Sequence, residues 1–106
     1  MDMDPDPIAI GVDEEIIDLL PTYIANRWKD IELAGKAIQD GDFEALRCMG
    51  HTMKGSGGGY GLDEVARVGQ EIEASAREGD SGRISQLLAQ LRDFLERVQV
   101  FPVREG

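Results

Sequence analysis

Apolar residues recur along most of the chain at the three- and four-residue spacing of amphipathic helices. Between Pro21 and Asp40 the stripe is Ile24, Trp28, Ile31, Gly35 and Ile38. A second stripe holds Phe43, Leu46, Gly50, Met53, Gly57 and Tyr60, and a third holds Leu62, Val65, Gly69, Ile72 and Ala76. The last runs through Ile84, Leu87, Leu88, Leu91, Phe94, Leu95 and Val98. Gly41 and Gly79 end two of these runs; Asp42, and Asp80 or Ser81, are placed to cap the helices that follow. Asp13 is expected to cap a short helix reaching about Leu20, with Glu14 and Glu15 in its favourable first turn. Pro21 then marks a break or a new first turn. No useful length alternates with period two, so no strand is expected. The pattern predicts an all-α fold, an antiparallel four-helix bundle with a short additional N-terminal helix. The bundle is expected over residues 13–101, with a flexible or extended lead-in at 1–12 and a tail at 102–106 after Phe101-Pro102.

A chain of 106 residues, 42% apolar, suits one domain with a modest core. Its formal net charge of −10 argues against nucleic acid and against anionic membrane as partners, since both require clustered Lys and Arg. The N-terminal segment is acidic and lacks the basic start and apolar run of a signal peptide, and no apolar stretch approaches a membrane span. A cytoplasmic protein is expected, and its charge together with the lack of a second apolar stripe favours a monomer. Cys48 is the only cysteine, which excludes an internal disulfide and a four-ligand Cys/His zinc site. It is expected to be a small, partly buried hydrophobe.

The chemistry concentrates in one stretch, His51-Thr52-Met53-Lys54-Gly55-Ser56-Gly57-Gly58-Gly59-Tyr60-Gly61, which contains the only histidine. On the second helix, Met53, Gly50, Gly57 and Tyr60 fall on the inner seam. Arg47, His51, Lys54, Gly55 and Gly58 fall on the polar face, with His51 at its edge and partly exposed. A neutral imidazole nitrogen is a competent nucleophile near neutral pH. Lys54, one turn along, is within reach of a phosphoryl group on His51 and disfavours the imidazolium form. Arg47, one turn the other way, is a further candidate. Gly55 costs helix propensity, and its missing side chain leaves room for a partner's active site to approach. The glycine run fits neither a dinucleotide fingerprint nor a P-loop, so phosphorylation from ATP is not expected.

His51-x-x-Lys54-Gly55, with Gly61 ten residues after the histidine, resembles the histidine-containing phosphotransfer (HPt) domain family. The resemblance spans about residues 13–98. It implies a phosphorelay intermediate in which His51 accepts a phosphoryl group through Nε2 from the aspartyl phosphate of a response-regulator receiver, including one in a hybrid sensor kinase, and passes it to another receiver. By the same implication Lys54 supports the phosphoryl group, Gly55 makes room for the receiver, and Arg47 and Gly58 border the docking face. No cofactor is expected on this chain; Mg²⁺ belongs to the receiver. Family members often place a polar group from the next helix on the imidazole Nδ1. Here the matching position is Glu73, with Gln70 one turn before it, and Glu73 reads either as that partner or as an ordinary exposed residue. The glycine run departs from the family's Ser/Ala-rich segment and leaves the end of the second helix open. The alternative function is a helical binding module that sequesters a receiver or sensor partner without phosphotransfer.

Overall fold

A computed structural model of the chain describes residues 6–104. Four helices dominate: α1 (Leu20–Asp40), α2 (Phe43–Gly59), α3 (Asp63–Arg77) and α4 (Ser81–Arg97). Their connections are two or three residues long, which forces consecutive helices to run antiparallel. Helix α1 packs on α2 and α4, α2 on α3, and α3 on α4, closing a bundle. Its interior is built by Leu46 and Met53 of α2, Val65, Val68 and Ile72 of α3, and Ile84, Leu87 and Leu91 of α4, all almost fully buried.

The corners use one device twice. Gly41 and Gly79 adopt left-handed conformations, with φ of 68° and 67°, which glycine enters without steric cost. The next residue's N–H reaches back into the preceding helix, Asp42 to the Ala37 carbonyl and Asp80 to the Ser75 carbonyl. The same aspartates then cap the following helices, accepting from the backbone N–H of Ala45 and Arg83 at 3.0 Å each.

The chain ends depart from the expected pattern. Ile8–Asp13 and Val98–Val103 are strands, β1 and β2, paired in parallel with Ile8 opposite Val98 and Asp13 opposite Val103. Ile8, Ile10, Val98 and Val100 pack against the core, and Val12 is buried. The expected lead-in is therefore extended and paired from Ile8 onward, and residues 1–5 of it lie outside the described residues. The last helix ends at Arg97, before Phe101-Pro102. In place of a short N-terminal helix there is a single 3-10 turn, Ile17–Leu19. Asp13 caps a turn, accepting from the Glu15 N–H at 2.9 Å. Pro21 sits in the first turn of α1, where its missing N–H is harmless. The inner face of α1 is also rotated from the expected stripe: Leu20, Tyr23, Ile31 and Ala34 are buried, while Ile24, Trp28, Gly35 and Ile38 are only partly so.

Helices α2 and α3 meet backbone to backbone. A Cβ added at Gly50 would lie 2.6 Å from the Glu73 nitrogen and the Gly69 carbonyl oxygen, and one at Gly69 would lie 2.6 Å from the Lys54 nitrogen. A Cβ at Gly57 would meet the Ala66 nitrogen at 2.6 Å. Alanine at Gly50, Gly57 or Gly69 is therefore expected to force the pair apart, at about 1–3 kcal/mol. Alanine at Gly35 or Gly55, where nothing lies within 4 Å, is expected to stabilise by up to about 1 kcal/mol. Urea denaturation of the single variants separates the two classes, and similar effects in both would refute the close-contact account.

Candidate functional site

The glycine contact determines what His51 faces. His51 follows Gly50, and Gly50 rests on the backbone of Glu73. The imidazole Nδ1 consequently lies 2.9 Å from Glu73 Oε2. The two groups differ sharply in environment: the His51 side chain is 69% exposed and that of Glu73 is 8% exposed. Of the two readings of Glu73, the buried imidazole partner is the observed one. Gln70 is exposed and makes no side-chain hydrogen bond to another described residue; Nδ1 faces Glu73. A carboxylate accepts and does not donate, so Nδ1 carries the proton in this contact. The neutral ring then has its lone pair on Nε2, the outward nitrogen.

Glu73 has a second partner that the sequence reading missed. Arg77 Nη2 approaches the same Oε2 at 3.3 Å. The signal was present, since Arg77 stands four residues after Glu73, in the favourable Glu-to-Arg order on a helix. Its role depended on knowing that Glu73 is buried against His51.

Lys54 and Gly55 are exposed, and Lys54 enters no ion pair among the described residues. Its backbone rests on Gly69 while its side chain remains in solvent. Space around Gly55 and Gly58 is open. Arg47 is already engaged: its Nη2 and Nε donate to Glu44 at 2.6 and 3.0 Å. That hydrogen-bonded pair lowers the carboxyl of Glu44 and raises the guanidinium of Arg47 from their ordinary ranges. Cys48, expected to be partly buried, is exposed beside Glu44.

The glycine-rich end of α2 remains helical through Gly59. It is tied to α1 by a polar and aromatic cluster that lies off that helix's expected apolar stripe. Tyr23 Oη and Ser56 Oγ are 2.8 Å apart, and Arg27 Nη1 donates to Ser56 Oγ at 3.4 Å. The Arg27 guanidinium lies 4.3 Å above the Tyr23 ring, which also stacks on Tyr60. Asp30 pairs with Arg27 at 2.8 Å; burial raises its carboxyl from the ordinary range, with Arg27 opposing. Beside this cluster a shallow groove of about 420 Å³ runs between α1 and α2, lined by Arg27, Asp30, Ala45, Cys48, Met49 and Thr52. It reaches the residue next to His51.

The Hpt domain family model matches residues 17–101. The chain belongs to the Hpt domain family. Hpt domains are helical bundles that serve phosphotransfer in two-component signalling and interact with response-regulator receiver domains. Searches of curated proteins and of solved structures gave no match. In this Hpt domain, no helix among the described residues is long and apolar enough to cross a membrane.

The Nδ1 contact has a direct consequence for tautomer. In ¹⁵N-resolved NMR of the imidazole at alkaline pH, His51 is expected to be held as the Nδ1–H form. Glu73→Ala should release it to a mixture of tautomers. An unchanged tautomer in that variant would show that Glu73 does not orient the ring.

Proposed function

We propose that the protein is a phosphorelay intermediate with His51 as phosphoacceptor. The observation that carries this reading is an exposed imidazole anchored through Nδ1 to a buried carboxylate, on the surface of an Hpt bundle. Nε2 attacks the phosphorus of a receiver's aspartyl phosphate. The N–P bond forms as the P–O bond breaks, and its electron pair leaves with the aspartate carboxylate. No proton has to leave Nε2, because the Nδ1–H tautomer carries none there. The positive charge that develops on the ring faces Glu73.

The other assignments follow from this step. Lys54 offsets charge on the equatorial phosphoryl oxygens. Gly55 and Gly58 leave the face beside His51 bare for a receiver to approach, and the groove along α1 and α2 extends that face. Arg47, held by Glu44, contributes positive charge at the border of the docking surface. The Mg²⁺ that phosphoryl transfer needs is assigned to the receiver, and this chain acts without ATP-dependent kinase activity, as a cytoplasmic monomer. Transfer back to another receiver, including one in a hybrid sensor kinase, reverses the same step.

Incubation with a phosphorylated receiver domain is expected to label the chain with acid-labile, alkali-stable phosphate, and His51→Gln should abolish the label. Retained label in that variant would refute the assignment. Partner binding without any phosphate exchange would instead favour the sequestering module. Lys54→Ala should slow transfer about tenfold, equivalent to about 1.4 kcal/mol of barrier. Gly55→Gln should impair transfer while leaving helicity and thermal stability near the parent's, since the position is open. Circular dichroism run beside the transfer assay checks that separation.

A further inference from the structure

Glu73 Oε2 is shared between His51 Nδ1 at 2.9 Å and Arg77 Nη2 at 3.3 Å. Two donors on one oxygen compete for its electron density, and an opposite charge nearby weakens a carboxylate's hold on a proton. We propose that Arg77 is a positioning residue that acts through Glu73 to lengthen the lifetime of a phosphoryl group on His51. This rests on the reading of His51 as phosphoryl carrier.

The chemistry runs through the leaving group. When the phosphoryl group departs from Nε2, the N–P electron pair returns to the ring as water or a receiver carboxylate attacks phosphorus. With Nδ1 protonated the ring leaves as neutral imidazole; without that proton it must leave as an anion, which is far harder. A carboxylate that holds Nδ1–H strongly therefore promotes loss of the phosphoryl group. Arg77 draws on the same oxygen and moderates that hold. The arrangement suits a carrier that must keep its group in water and release it to a partner.

The surrounding charges are accounted for. On α2, Arg47 lies near enough to Glu73 for the two charges to interact, but is hydrogen-bonded to Glu44, and Lys54 is exposed one turn beyond His51. On α3, Arg67 is taken up by Glu64, Glu71 and Gln90. On α4, Arg83 pairs with Glu71, and on α1, Arg27 pairs with Asp30. Among the described residues, Arg77 is the only cation hydrogen-bonded to Glu73.

The test uses the full chain phosphorylated on His51 with phosphoramidate, whose P–N bond breaks to release ammonia as Nε2 binds phosphorus. Loss of phosphohistidine is followed by ³¹P NMR from acid to alkaline pH in the parent, Arg77→Met, Arg77→Lys, Glu73→Gln and the Glu73→Gln/Arg77→Met double variant. Arg77→Met is expected to lose phosphate about threefold faster near neutral pH, about half a decade in rate. Its pH profile should move toward alkali, and Arg77→Lys should restore most of the parent's lifetime. In the Glu73→Gln background, Arg77→Met should have little effect. An unchanged lifetime in Arg77→Met, or the same change in both backgrounds, overturns the proposal. The ¹⁵N shift of Nδ1 in the unphosphorylated proteins gives a second readout that needs no labelling. It should move in Arg77→Met and stay put when Glu73 is already Gln; failure to move in Arg77→Met overturns the proposal equally. Arg77 is largely exposed, so thermal melts are expected to show these variants folded. An Arg77 effect without receiver transfer would count against the phosphorelay reading alone. Receiver transfer without an Arg77 effect would count against this inference alone.

Discussion

Three glycines let two helical backbones touch, and the candidate site depends on that contact. Gly50 and Gly57 of α2 and Gly69 of α3 occupy positions where a single methyl group would collide with the facing main chain. The spacing places these glycines on the inner seam, so the close approach runs along the bundle interior. With the two helices in contact, a residue beside the seam on α2 comes within hydrogen-bond range of α3. His51 is that residue, and Glu73 is what it meets.

The consequence is an unequal pair. The imidazole stands in solvent while the carboxylate is nearly enclosed. On the proposed reading, the nucleophile must be reachable, yet a freely rotating ring would present either nitrogen. Anchoring one nitrogen to a fixed acceptor resolves this conflict, because only the other remains available. The buried carboxylate is in turn compensated by Arg77, without which it would face its desolvation with the histidine alone. On the other side of α2, the Tyr23–Ser56–Arg27 cluster ties the glycine-rich end of the helix to α1.

Much of the bundle was legible because helical burial leaves a periodic trace. The seams of α2 and α4 appear in the sequence almost residue for residue, that of α3 does so apart from the buried Val68, Glu73 and Ser75, and Gly41 and Gly79 mark two corners. Helix α1 was read less well. Tyr23 is buried there and Ile24 only partly so, because packing on both α2 and α4 rotates the inner face toward the aromatic and polar cluster. The strands were missed although Ile8, Ile10 and Val12, and likewise Val98 and Val100, alternate with period two. Each run is short, and neither is stable alone; pairing requires the bundle to bring the two ends of the chain together.

The sequence by itself determined the helices, most of their buried faces, and the outward set of His51, Lys54 and Gly55. These are local properties, governed by residue spacing, caps and backbone freedom along one element. Only the tertiary structure decided that Glu73 is buried and meets the imidazole, so that one carboxylate oxygen faces both His51 and Arg77. That contact depends on the register and separation of α2 and α3, whereas the Glu44–Arg47 and Glu73–Arg77 pairs follow three- and four-residue spacing within one helix. Spacing along one helix does not encode the His51–Glu73 contact, because a side chain's partner across an interface is fixed by how closely two backbones approach.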